Sequence, residues 1–414
     1  MKSGTSVLGL ARGLLSPGNI RILALTSMLT GIYVSMLNTI LQPFVVTNLG
    51  FDVLTLGVLV AIGARPLGIA SSTVQPFAGA LADILGRRRL ILLGSAVGVM
   101  SMVSFAVSAV TRSLVPLSLG YLLLGLSLLA SPASQAMTAE TVGMDPGRVN
   151  VAFSLIFLFS SIPGAIIPFF AGYLVSAVGY AVLFTAAAIL EAANLLVLFP
   201  QLRETQPAQN QAGGAGRRFS LSQSIHIPRG LVRIFIPFAM DGFTFGVGGS
   251  IIYGLWSSYF GFSQEEIGLI QGTLSVSIVA SQYFATRLLL VAGPRRTLAF
   301  SEFLTVVTLL AWLVLPILPV LILIAVVFGI SVATWVPAVS SLLMAAAPVE
   351  ERGSVGGKLA AFRGLIAFPA PIIGGLIYTA YGYYVPVFIS LIGEAFTVVA
   401  ILKLLPELSP SPQG

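Results

Sequence analysis

Cysteine is absent from this chain and histidine occurs once, at His226, so disulfides, thiol nucleophiles and thiolate metal sites are excluded. Charge is scarce too, at 8% of 414 residues. A membrane-embedded enzyme needs a nucleophile and base, or metal ligands, converging at one depth. The lone histidine lies in a polar stretch and no His-Glu-x-x-His occurs, so that class is a remote alternative and the chain is not read as an enzyme. No Gly-x-x-x-x-Gly-Lys-Ser/Thr loop is present, which removes an ATP-driven pump, and no cofactor or metal is implied.

What the sequence has in quantity is apolar length. Apolar residues make up 57%, a share that a polytopic membrane protein requires and a soluble domain does not. Crossing a hydrocarbon layer about 30 Å thick takes about 20 apolar residues, and roughly twelve such runs follow one another between short polar breaks. Stretches such as Ile317 to Ile330 are apolar on every face, which predicts helices, not alternating barrel strands. The net charge of +7 does not point to nucleic acid. With residue 1 inside and twelve spans, nineteen of the 21 Lys and Arg fall on inner loops or inner helix ends, Arg65 and Arg112 excepted. Both termini are therefore expected in the cytoplasm, with the chain integral to a prokaryotic inner membrane. The first apolar run is too long for a signal-peptide core and reads as a retained helix.

The expected spans are 20–46, 54–81, 88–110, 113–138, 148–174 and 180–199, then 229–256, 264–291, 296–314, 317–343, 355–378 and 384–405. The stretch 201–228, with Gln206-Pro207-Ala208-Gln209-Asn210-Gln211, has linker composition and divides six-helix segments 1–200 and 229–414. These segments repeat each other. Gly179-Tyr180 precedes Glu191-Ala192 as Gly382-Tyr383 precedes Glu394-Ala395, and the register also sets Pro168 against Pro371 and Gly172 against Gly375. Gly50-Phe51 with Gly57 recurs as Gly261-Phe262 with Gly268, so the offsets are 203 and 211 residues, a parallel duplication.

One polar loop interrupts the apolar runs with a distinctive pattern: Gly79-Ala80-Leu81-Ala82-Asp83-Ile84-Leu85-Gly86-Arg87-Arg88-Arg89. Gly79 suits close helix approach, Gly86 a tight turn of positive backbone angle, and Asp83 is a short acceptor. The loop resembles the Gly-x-x-x-Asp-Arg/Lys-x-Gly-Arg-Arg/Lys signature between helices 2 and 3 of the major facilitator superfamily, with Ile84 where the family usually has a cation. Arg148 and Arg352, each after a short break beyond the fourth helix of its half, extend the resemblance over nearly the whole chain. It implies an all-α membrane protein of twelve transmembrane helices in two pseudo-symmetric six-helix bundles, working by alternating access.

The resemblance also implies roles. The loop would brace the cytoplasmic side, with Asp83 accepting from the start of helix 11 or from Arg148, and Arg87 meeting Glu140; the competing role for Arg87, Arg88 and Gly86 is topology alone. Helices 1, 4, 7 and 10 would line the central cavity. Asp241 lies about 18 Å into helix 7 at 1.5 Å per residue, near the midplane. It is either a carboxyl group that binds and releases the coupling proton or a structural acid paired with Arg65 or Arg363. The alternative for Arg363 is snorkelling to the nearer interface. Glu191 and Glu394, symmetry mates on helices 6 and 12, are expected to be structural, and Glu302 to pair with Arg295 or Arg296. Cavity candidates are Thr30, Tyr33, Asn38 and Gln42 on helix 1, Gln135 with Thr138 on helix 4, and Thr334 and Trp335 on helix 10. Two family markers differ: Tyr121 before Gly125 replaces the helix-4 arginine, and the antiporter glycine-proline pattern is approached only by Ala370-Pro371-Ile372-Ile373-Gly374-Gly375 on helix 11.

The expected function is secondary transport of a small, partly apolar organic solute, leaning to proton-coupled efflux by a monomer whose partners are solute, protons and lipid. The alternative is an importer or facilitator for a nutrient or organic anion, with Arg65 as the anion-binding cation. A channel would not explain the gated loop.

Overall fold

The computed structural model describes residues 18–65, 67–143, 146–205, 229–346 and 352–407. The polar body of the expected linker, including His226, and both chain ends lie outside the described residues. What is described is helical, without a strand, and holds ten helices long and apolar enough to cross a membrane.

Helix α1 (Asn19–Pro43) runs on into a π turn, Phe44–Asn48, and stops at Gly50 with φ 74°. Asp52 then caps α2 (Val53–Gly63), its carboxylate accepting from the Thr55 N–H at 2.8 Å. The expected second span is not continuous: α2 ends at Gly63 and α3 (Ile69–Leu85) begins after a break across which the Gly68 N–H donates to the Ala64 carbonyl at 2.7 Å. Pro66 disfavours helical geometry at the residue before it, and Gly63 allows the break to press against the Tyr121 carbonyl, where a methyl group would not fit. After Gly86 (φ 92°) come α4 (Arg87–Thr111), α5 (Leu114–Leu126) with its continuation α6 (Ala130–Thr141), α7 (Pro146–Val178) and α8 (Tyr180–Gln201). The following residues are not free linker. Arg203 and Asn19 exchange two hydrogen bonds at 2.9 Å, and the Glu204 carboxylate accepts the Arg87 and Arg88 backbone N–H groups at the start of α4.

The remaining helices are α9 (Arg229–Gly248), α10 (Ile252–Leu255) with a second π turn at Trp256–Phe260, and α11 (Gln264–Ala280), which opens on a Ser263/Glu266 capping box. They continue with α12 (Gln282–Val314), α13 (Leu318–Ala346), α14 (Arg352–Ala367), α15 (Ala370–Tyr381) and α16 (Tyr384–Leu404). Gly293, at φ 75°, divides α12 into two helical pieces.

Packing repeats with the sequence. Gly57 of α2 meets the Pro371 carbonyl of α15, and Gly268 of α11 meets the Pro168 carbonyl of α7; a methyl group on either glycine would overlap that oxygen or crowd it. Each pair joins one repeat of the chain to the other, so the same backbone contact is made twice. Gln42 adds a further link near the π turns, donating to the Ser250 carbonyl at 2.8 Å and accepting from the Gly254 N–H at 3.0 Å. Aliphatic side chains such as Val110, Val115, Leu196 and Leu323 are exposed, which water would penalise and lipid tails would not.

Replacing Gly57 by Leu should hold α2 and α15 apart at a cost of about 1–3 kcal/mol. Spin labels at Thr55 and Thr379 should report a longer distance distribution than in the otherwise native chain; an unchanged distribution would contradict the contact.

Candidate functional site

The densest charge inside the bundle is built from four helices. Asp241 of α9 forms an ion pair with Arg363 of α14. Gly242 makes the approach possible, because a side chain there would overlap the Arg363 stem. Arg363 Nε also donates to the Phe238 carbonyl at 3.1 Å, and its guanidinium lies over the Trp335 ring of α13, 4.6 Å from the centroid. The cation is thus fixed on three sides. Trp335 Nε1 donates to Glu302 of α12 at 2.8 Å, and Thr244 Oγ1 lies 2.7 Å from Oε1 of Glu394 on α16. Carboxylate oxygens of Asp241, Glu302 and Glu394 fall within 4.8 Å of one another, and the three residues are 7%, 1% and 0% exposed.

This arrangement corrects two expectations. Arg65 is not the partner of Asp241: it sits in the break between α2 and α3, where Nε donates to the Leu124 carbonyl at 3.0 Å and the guanidinium meets the Ser127 hydroxyl. Glu302 does not pair with Arg295 or Arg296, which approach Glu407 at 3.2 and 3.9 Å. Glu302 and Glu394 instead join Asp241. Arg363 reaches inward to an acid and does not snorkel.

The first half carries a milder counterpart. Glu191 of α8 accepts from Ser95 Oγ at 2.7 Å and from Asn194 Nδ2 at 3.1 Å, with the Tyr33 hydroxyl in hydrogen-bonding reach and Thr30 behind Asn194. At the repeat offsets Thr30 stands for Asp241, Tyr33 for Thr244 and Glu191 for Glu394. The hydrogen-bond partners of Glu191 are neutral hydroxyl and amide groups, where Glu394 lies beside two further acids and an arginine.

Of the cavity candidates, Asn38 and Gln135 are exposed, Gln135 donating to Ser131 Oγ at 3.3 Å, while Thr30 is half-buried. Tyr33 is buried in the core, Gln42 is tied to Ser250 and Gly254, and Thr334 and Thr138 bond carbonyls of their own helices. An open groove of about 510 Å³ lies on the flank of α7, α11, α12 and α13, lined by Phe169, Thr273, Ser277, Ser281, Phe284 and Ile330. Its lining is apolar with a few hydroxyl groups.

In the loop between α3 and α4, Arg87 bridges Asp83 at 2.6 Å and Glu140 at 3.3 Å. Arg88 donates to the Phe199 carbonyl at 2.6 Å and covers that ring, fastening the loop to α8. Gly86 has the positive backbone angle its place requires. Gly79, by contrast, has open space where a side chain would be, so no close helix contact depends on it. Arg148 is exposed at the start of α7.

A bundle of long apolar helices, doubled glycine contacts and a buried ion pair defines a helical membrane protein of the carrier type. The sequence pattern of the Major Facilitator Superfamily matches residues 23–253 and again 234–414, and the chain belongs to that family. It is a transporter, not an enzyme. Solved structures with this fold include the human organic anion transporter MFSD10 (TETRAN), 18% identical, with a TM-score of 0.67 and coverage of 92% of this chain and 98% of that one. A mutant of the nucleoside transporter NupG is 16% identical with a TM-score of 0.73, covering 94% and 99%. A D-xylose-proton symporter is 13% identical with a TM-score of 0.67, covering 95% and 98%. No curated protein matches the chain.

Removing one member of the ion pair should cost more than removing both. Arg363→Leu alone should lower stability by about 3–5 kcal/mol by leaving an acid unmatched, and adding Asp241→Leu should restore much of it. Equilibrium unfolding in detergent measures this cycle; additive losses would contradict a specific pair.

Proposed function

We propose that this transporter moves a small, partly apolar organic solute by alternating access, coupled to protons through Asp241 and Arg363 and running in the direction of efflux. The observation that carries this is the ion pair itself, which links α9 to α14 inside the bundle. A carboxyl group there has two states, ion-paired and protonated, and only in the first does Asp241 add its charge to the Phe238 and Trp335 contacts that hold Arg363. Protonation of Asp241 therefore changes how α14 is attached, and α14 is the helix packed on α3 of the other half.

The working parts are six-helix halves 1–200 and 229–414 with 201–228 between them. Twelve crossings result when α2 with α3, α5 with α6, α9 with α10 and α14 with α15 each count as one, and when α12 is divided at Gly293, its first piece continuing α11. Asp83, Arg87, Glu140 and Arg148 act as the gate on the cytoplasmic side, where both termini lie, and the scarcity of fixed charge beside many aromatic and aliphatic side chains favours a partly apolar solute over a sugar. An importer of organic anions built on Arg65 is the weaker alternative, because its guanidinium is engaged by Leu124 and Ser127.

A thermal-shift screen of the purified protein against amino acids, sugars, organic acids and lipophilic cations should identify solutes that bind. In proteoliposomes, such a solute should drive proton flux opposite to its own movement, and Asp241→Asn should abolish the flux while solute binding remains. Flux in Asp241→Asn at the native rate would refute the coupling role, and cotransport in one direction would refute efflux by exchange.

A further inference from the structure

Three acids surround one arginine. The charged groups at the cluster are Asp241 from α9, Glu302 from α12, Glu394 from α16 and Arg363 from α14, while α13 contributes the Trp335 N–H. Other charges on these helices lie elsewhere: Arg233 and Lys403 are exposed, Arg295 and Arg296 approach Glu407, and Lys358 is closer to the start of α14. If every acid were ionised, Arg363 would cancel one charge and leave two negative charges in a site closed to water, which a low-dielectric interior does not tolerate.

Glu394 shows where the balance is restored. Its Oε2 is buried and has no hydrogen-bond partner, so as a bare carboxylate oxygen it would be stranded. Its Oε1 lies 2.7 Å from Thr244 Oγ1, yet that hydroxyl also lies 2.9 Å from the Met240 carbonyl and has a single hydrogen to give. A proton on Glu394 removes its charge and relieves one of the two: on Oε1 it is donated to the Thr244 oxygen, which frees that hydroxyl's hydrogen for Met240, and on Oε2 it is directed into the cluster. Glu302, within hydrogen-bonding reach of Glu394, has the Trp335 N–H as its one neutral donor among the described residues. A hard metal cation is the poorer occupant. Such an ion takes about six to eight oxygens where it is Ca²⁺-like, and of the three carboxylates here one already serves Arg363.

We propose that Glu302 and Glu394 are a proton-binding pair placed behind the Asp241–Arg363 ion pair, and that both carry protons in the conformation described. The proposal rests on the proton-coupled reading and names the groups that hold the protons. Loss of a proton from the pair puts negative charge beside Asp241 and draws Arg363 away from it, so the occupancy of the pair sets the strength of the link between α9 and α14. No covalent step is involved; each proton leaves to water and returns from it.

Infrared spectroscopy of the full chain in lipid nanodiscs at neutral pH tests the pair directly. A protonated-carboxyl band that shifts in D₂O should be present, should shrink in Glu302→Gln and in Glu394→Gln, and should vanish in the double variant, with NaCl and choline chloride giving the same spectrum. The single variants keep size and hydrogen-bonding capacity, and the native spectrum needs no variant at all. Absence of the band in the native protein, or a band undiminished in both single variants, would overturn the proposal. So would a thermal stabilisation by Na⁺ over choline that either variant removes, which would mark a metal site. An intact band without solute-driven proton flux would instead defeat the coupling reading and leave the pair standing.

Discussion

The interaction on which the rest depends is the ion pair between Asp241 and Arg363 in a place that water does not reach freely. Charge in such surroundings has to be matched locally, and the neighbouring residues follow from that demand. Gly242 admits the arginine, the Phe238 carbonyl accepts its Nε hydrogen, and Trp335 offers the face of its ring on one side and its N–H to Glu302 on the other. Each of these contacts is ordinary alone. Together they connect four helices through one guanidinium.

The second constraint is backbone proximity. Where α2 meets α15 and α7 meets α11, glycine faces a carbonyl in both places, and the contacts are related by the same offsets as the sequence repeat. A duplicated chain therefore builds a duplicated junction. The buried centres have diverged: Glu191 is surrounded by Ser95, Asn194 and Tyr33, while its mate Glu394 shares space with two more acids. A symmetric frame thus surrounds an asymmetric charge distribution, with one buried acid among the described residues of the first half and three beside an arginine in the second.

Much of the frame is legible in the sequence, because apolar length, glycine spacing and the arginine-rich loop are local properties. The turn at Gly86 is of this kind, while the contact of Arg87 with Glu140, 53 residues along the chain, is what the family resemblance implies and local sequence does not. The interruption at Arg65 is masked by the apolar residues that continue across it, although Pro66 marks the place. The acid cluster is hidden for a different reason. Depth along a helix can be estimated from residue count, but the rotation that turns Glu302 and Glu394 toward Asp241 is set by packing among α9, α12 and α16. Extending the 211-residue offset to Thr30 and Tyr33 places Asp241 and Thr244 opposite Glu394, as Thr30 and Tyr33 lie opposite Glu191, and is the one sequence signal that leads there.

The central claim is that water reaches this charged core from one face of the membrane at a time. Asn38 is an exposed polar residue of α1, and the absence of native cysteine makes Asn38→Cys the sole thiol of the chain. Membrane-impermeant maleimide applied to sealed right-side-out and inside-out vesicles should label it from one side alone while α2 and α15 are in contact, and from the opposite side once Gly57→Leu separates them. Equal labelling from both faces in the same preparation would describe a continuous pore and contradict the account.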